Sequence, residues 1–414
     1  MALPAQITVS FDFSSGATFG YPFTLSDAKY GLLGTGTLAA SETPEPVYDL
    51  TPDVRQITIR RGRNIMRDQY EAGTATIRVI DPNSNFNPQN VASPFFGFLT
   101  PLRKIRVAAT VGGNSYFLFS GYTTDYAYSY PQGQETGYVD IQCVDAFRLM
   151  QQAGVTTVAS APAGQNTGQR VSAILNQVQW PTNMRQIDSG STLCVADPAT
   201  NRPSLDALLN AAFSEQGAFF INGSGTAVFK NRTNTITSAS ATPIEFNQSG
   251  GIPYKNLTYA FDDKLIINSA SMTRVGGSPQ LAETLASIAK YFPHQSNETN
   301  LVCQTDADAL NIARTYVATR QETTIRIDAM TVDLLDTAVP TATMLGLDYF
   351  QPLKITNIQP DGSLIQKTLQ CQGLAWDITP NQMQVTVTTL ESITDGFTLG
   401  SAVQGIIGTS TLAY

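Results

Sequence analysis

Charge is what this 414-residue sequence has least of: Asp, Glu, Lys and Arg make up 14% of it, against about 25% in a typical soluble domain. A surface so poor in charge is either coated with Thr, Ser, Asn, Gln and Tyr or covered by other chains. There is one histidine. His294 stands in Phe292-Pro293-His294-Gln295 beside neither a cysteine nor a carboxylate cluster, so a His-based triad or a zinc site is hard to build. The four cysteines, Cys143, Cys194, Cys303 and Cys371, are far apart, form no Cys-x-x-Cys pair and read as buried free thiols. No run approaches the roughly 18 apolar residues of a membrane helix, and Met1-Ala2-Leu3-Pro4-Ala5-Gln6 lacks the basic-then-apolar order of a secretory leader. Neither membrane insertion nor secretion is expected. Phosphate loops, dinucleotide fingerprints, nucleophile elbows and His-Glu-x-x-His are all missing. The expectation is therefore no catalytic residue, no cofactor and no metal. With 25 basic against 33 acidic residues, net −8, binding through phosphate neutralisation is disfavoured.

What is present is β pattern. Ile7-Thr8-Val9-Ser10-Phe11 alternates with period two and marks a half-buried strand, followed by a Gly-rich arm, together residues 1–47. Residues 48–150 hold short strands in quick succession (55–60, 74–80, 105–111, 116–122, 138–144), separated by turn signals such as Asp81-Pro82-Asn83 and Gly112-Gly113-Asn114. Such spacing argues a small antiparallel barrel or sandwich. From 151 to 245 the pattern is α+β. Val171, Ile174, Leu175 and Val178 share one helical face, Leu205, Leu208, Leu209 and Ala212 another, and Asn222-Gly223 reads as a hairpin turn. Thr235 to Thr242 reads as a loop or linker. Residues 246–395 begin with strands. A helical face of Leu281, Leu285, Ile288 and Phe292 follows, then a helix capped at Thr305-Asp306-Ala307-Asp308, then four more strands. Residues 396–414 form a C-terminal tail.

Three features invite a functional reading. The segment 55–106 holds nine basic residues against Asp68, Glu71 and Asp81. It is either a set of solvated strand faces or a strip meeting acidic surfaces of neighbouring subunits, with Arg55, Arg60, Arg61 and Arg63 as the candidate interface; direct nucleic-acid contact ranks behind both, because no interleaved aromatics accompany it. Alternation places Tyr122, Tyr126, Tyr128 and Tyr130 on one face, which serves either as a carbohydrate-stacking platform or as a barrel wall. Asp125 with Asp140 or Asp145 would supply a glycosidase-like carboxylate pair, although with 33 acidic residues such pairs are common and Asp at strand ends and turns is the preferred explanation.

The run Ile57-Thr58-Ile59-Arg60-Arg61-Gly62-Arg63, Ala72-Gly73-Thr74 and Asp81-Pro82-Asn83-Ser84-Asn85-Phe86-Asn87-Pro88 resembles the minor tail proteins at the tail tip of long-tailed bacteriophages. The similarity continues through Ser93-Pro94-Phe95-Phe96-Gly97, Pro101-Leu102-Arg103-Lys104 and Val144-Asp145-Ala146-Phe147. It reaches Trp376-Asp377-Ile378-Thr379-Pro380, in one order over most of residues 1–395. The resemblance implies a mainly β chain with two small antiparallel β-barrel hub domains, 48–150 and 246–395, and an α+β domain between them. It implies a homo-oligomeric ring, a trimer ahead of a hexamer, at the distal end of the virion tail. Tail-tube proteins would lie above it and fibre or receptor-binding proteins below, with DNA only passing through an acidic channel. Many relatives continue into a lytic domain. Here only about two dozen residues follow Glu391, so no lytic role is carried over.

Overall fold

The two-residue alternation of the sequence becomes sheet because it places one apolar row against a core on each strand. The computed structural model describes residues 3–14, 16–19, 47–64, 68–130, 136–238, 241–323 and 325–391. Most of the expected arm, Arg67 and the tail 396–414 lie outside them. Strands from both β halves join one 14-stranded sheet. Its main path runs Lys255–Ala260, Arg326–Asp333, Gln382–Leu390, Leu364–Thr379, Val54–Asn64, Thr74–Ile80, Tyr138–Val144, Asn114–Ser129, Lys104–Val111, Gln6–Asp12 and Val47–Asp49. Pro352–Ile358 branches off Leu364–Thr379 and carries the parallel strand Ile244–Asn247. Tyr126, Ile141, Ile77, Ile57, Ile378 and Met383 stand opposite one another in successive strands. This buried row belongs to a core that draws on both halves of the chain.

The chain is thus mainly β, as expected, but its two β halves are not separate. They meet where Val54–Asn64 pairs with Leu364–Thr379, and among the described residues the ladders close neither half into a ring. Gly62 faces Gly373 at this junction, and a Cβ on Gly62 would lie 2.8 Å from the Gly373 Cα. The close approach therefore requires glycine.

The α+β segment builds a second core around the helices Thr167–Gln177 and Ser204–Glu215. Asn166 opens the first with a capping box to Gln169, satisfying N–H groups that the helix leaves unpaired. Ala218–Ile221 and Ala227–Lys230 form a hairpin, but its turn spans 222–226 rather than two residues. Asn222 accepts from the Ser224 and Thr226 N–H groups, and Gly225 takes φ 85°, so the side chain dictates a longer turn. The helix Arg232–Ser238 takes in the first four residues of the stretch 235–242 expected as a loop or linker. A third, smaller core lies between the helix Asp306–Ala318, with its Thr305–Asp308 capping box, and the strands Gln280–Glu283, Ser269–Arg274 and Gln295–Leu301. Leu281 belongs to a strand here, because Gln280–Glu283 pairs with Ser269–Met272. The expected helix keeps only Leu285–Tyr291.

Candidate functional site

The face of the sheet turned away from the core is polar and crosses both halves. Asp125, Gln142, Thr76, Thr58, Asp377, Gln384 and Asp333 stand opposite one another along seven consecutive strands. Cross-strand bonds tie this face together. Thr76 Oγ1 donates to Gln142 Oε1 at 2.8 Å, Thr331 and Thr386 hydroxyls meet at 3.0 Å, and Arg78 holds both Asp140 oxygens at 2.8 Å. Lys255 reaches Asp333 at 2.7 Å. Two of the carboxylates on this face, Asp140 and Asp333, are paired with cations, and the rest of it is a wide surface of mostly short polar side chains. One end of the path is the edge strand Lys255–Ala260 and the other is Val47–Asp49, which covers only Ser10–Asp12 of its neighbour.

The four arginines expected to share one interface point different ways. Arg55 is exposed at a bulge and donates to the Pro52 and Val54 carbonyls. Arg60 is exposed on the polar face opposite Thr74 and Ala375. Arg61 and Arg63 continue the inward row of Ile57 and Ile59. Arg61 is 7% exposed, lies over the Tyr349 ring at 5.4 Å, and leaves Nε and Nη1 without a hydrogen-bond partner. Arg63 pairs with Asp68 at 2.5 Å, and Asp68 pairs with Arg320 at 2.7 Å, in a seam where the sheet meets the second and third cores. A cavity of about 90 Å³ opens there, lined by Arg63, Asp68, Phe213, Arg232, Tyr316 and Arg320. The rest of the basic segment is also largely engaged inside the fold. Lys104 is 2% exposed and pairs with Asp12, and Arg106 stacks on Phe117.

The expected tyrosine face is corrected by a bulge. The register shifts between Thr123 and Asp125, so Tyr122 enters the second core and Tyr126 the first. Only Tyr128, 41% exposed and stacked on half-buried Tyr130 at 5.9 Å, remains of the platform, and Tyr130 is anchored to Asp81 at 2.8 Å. Of the carboxylate candidates, Asp125 is exposed on the open sheet face and Asp140 is held by Arg78. Asp145 is buried beneath the Gly73 and Phe147 N–H groups, at 2.6 and 3.0 Å. Burial lifts its pKa from 3.8 to about 7, against the pull of those donors and of Arg61.

Sequence reading missed three things. The polar face was announced by Gln382, Gln384, Thr386 and Thr388 at period two, and the inward course of Arg61 and Arg63 by their parity with Ile57 and Ile59. The seam partners Asp68 and Arg320 lie 252 positions apart and carry no local signal.

The chain is mainly β, as the sequence resemblance implied, and its fold is similar to that of solved phage tail proteins. No family model and no curated protein matches the chain. Among solved structures it is similar to the 43 kDa tail protein of prophage MuSo2 from Shewanella oneidensis. That match has 12% identity and a TM-score of 0.53, over 84% of this chain and 95% of that one. It is similar as well to a tail protein from Neisseria meningitidis MC58, with 11% identity and a TM-score of 0.55, over 85% of this chain and 95% of that one.

Proposed function

We propose that this chain is a structural hub subunit of a bacteriophage tail tip and performs no bond chemistry. It forms a ring that joins the tail tube above to the fibre or receptor-binding complex below, at the distal end of the virion tail, and helps close or gate the DNA channel. The observation that carries this reading is the unbroken polar face from Asp125 to Asp333. Each β half serves as one barrel-type module, so three copies present six modules around the axis, and a trimer is preferred to a hexamer. The two ends of the sheet path differ, Lys255–Ala260 at one and Val47–Asp49 at the other, which suits head-to-tail contacts that close a ring. Turned to the axis, the polar face would let DNA slide because it is dominated by short neutral side chains and carries few cations to hold phosphate.

Light scattering of the purified chain, followed by electron cryo-microscopy of the assembled particle, tests this. The expected result is a closed ring with Thr58, Thr76 and Gln384 facing its channel. A ring whose channel is lined by another surface, or a monomer that stays single when offered its tail-tube neighbour, would overturn the reading.

A further inference from the structure

We infer that Cys194 and Cys303 form a reversible disulfide that staples the second core to the third. The two residues stand directly opposite each other in an isolated antiparallel bridge. The adjacent hydrogen bond, from Val195 N to Val302 O at 2.8 Å, makes them a non-hydrogen-bonded pair. In that arrangement Cα atoms approach to about 4.5 Å and side chains lie nearest each other. This falls at the short end of the roughly 4.4–6.8 Å that a disulfide spans. Both residues are fully buried as free thiols, one in the second core and one in the third. Cys143 faces Ala75 and Thr123, and Cys371 faces Thr389, so neither of the other two thiols has a cysteine opposite it.

The oxidant is a small peroxide. One thiolate attacks a peroxide oxygen, the O–O bond breaks, and the departing hydroxide takes a proton and leaves as water, giving a sulfenic acid. The second sulfur then displaces the sulfenic oxygen as a second water while the S–S bond forms. Two thiols lose two electrons and the peroxide gains them. A thiol reductant restores both cysteines by exchange, and the short Cα spacing favours that return. Burial lifts both thiols to about 11, with Glu215 raising Cys194 and Asp308 raising Cys303, against Arg170 and Arg274. Oxidation is therefore slow at neutral pH, quickens in mild alkali and proceeds through brief openings of the seam.

The test treats the folded full-length chain with hydrogen peroxide at mildly alkaline pH, blocks remaining thiols with an alkylating agent under denaturing conditions, and maps peptides by mass spectrometry. A Cys194–Cys303 linked pair two hydrogens lighter than its parts is expected, with Cys143 and Cys371 recovered as alkylated thiols. A Tm rise that dithiothreitol reverses should accompany it. Cys303→Ser, or Cys194→Ala should that variant fold poorly, should lose both the link and the rise. Recovery of Cys194 and Cys303 as unlinked thiols or as sulfinic acids, or indiscriminate pairing among all four cysteines, would overturn the proposal.

Discussion

The polar sheet face and the seam behind it hold the same kinds of side chain under different physical rules. On the face, the Arg78 and Asp140 side chains keep 42% and 20% of their surface, so water screens their pairing. In the seam, Arg63, Asp68 and Arg320 keep 9%, 11% and 13%. There the partners have lost most of their hydration, and each charge depends on the others. Exposed pairs contribute about 0–1 kcal/mol, whereas removing one partner from a buried set costs about 3–5 kcal/mol. One strand feeds both regions, with Arg60 turned to the face and Arg61 and Arg63 to the interior. A basic cluster in sequence is therefore not a basic patch in space, and the two regions should respond differently to the same kind of substitution.

The largest effect is expected at Asp68. Asp68→Asn keeps the size and suits the φ of 57° at this position, but removes the carboxylate that pairs with both Arg63 and Arg320. Urea unfolding should show a loss of about 3–5 kcal/mol, and a loss no larger than at an exposed pair would mean that water fills the seam. Asp145 should follow. Its folded pKa, about 7, lies above its ordinary 3.8, so the fold binds its proton more tightly than the unfolded chain does. That contribution is complete below pH about 4 and is lost as pH rises through about 7, a span worth at most about 4 kcal/mol. Asp145→Asn should therefore gain on the native protein in Tm between pH 4 and 8. Parallel pH profiles for the two proteins would show that Gly73, Phe147 and Arg61 already hold the charged form.

The contrast between face and seam also explains what the sequence could show. Strands such as Thr74–Ile80, Tyr138–Val144 and Pro352–Ile358 were legible because each has one buried row, and period two is enough to see it. The helix at Asp306 was legible through its capping box. The joining of the halves was not, since Gly62 and Gly373 meet across more than 300 residues and a glycine marks only that something comes close. The split of the tyrosines was hidden by one extra residue in a strand, which reverses every later side chain. Of the candidate interface, the position of Arg60 could be read from parity, but the partners of Arg63 could not.

The smallest effect on folding, and the sharpest question about assembly, lies with the two exposed arginines. Arg55 and Arg60 sit at opposite ends of the stretch that pairs with Thr74–Ile80, one at a bulge and one on the polar face. Neither has an ion-pair partner among the described residues. Alanine at both should change unfolding free energy by no more than about 0.5 kcal/mol. If each meets a carboxylate that becomes buried on assembly, the same change should weaken association by about 2–5 kcal/mol per pair, read as a raised threshold concentration for stacking on the neighbouring tail component. Stacking that is unchanged in the double variant, at unchanged stability, would leave both arginines as solvated side chains and move the search for contacts to the strand edges at Lys255–Ala260 and Val47–Asp49.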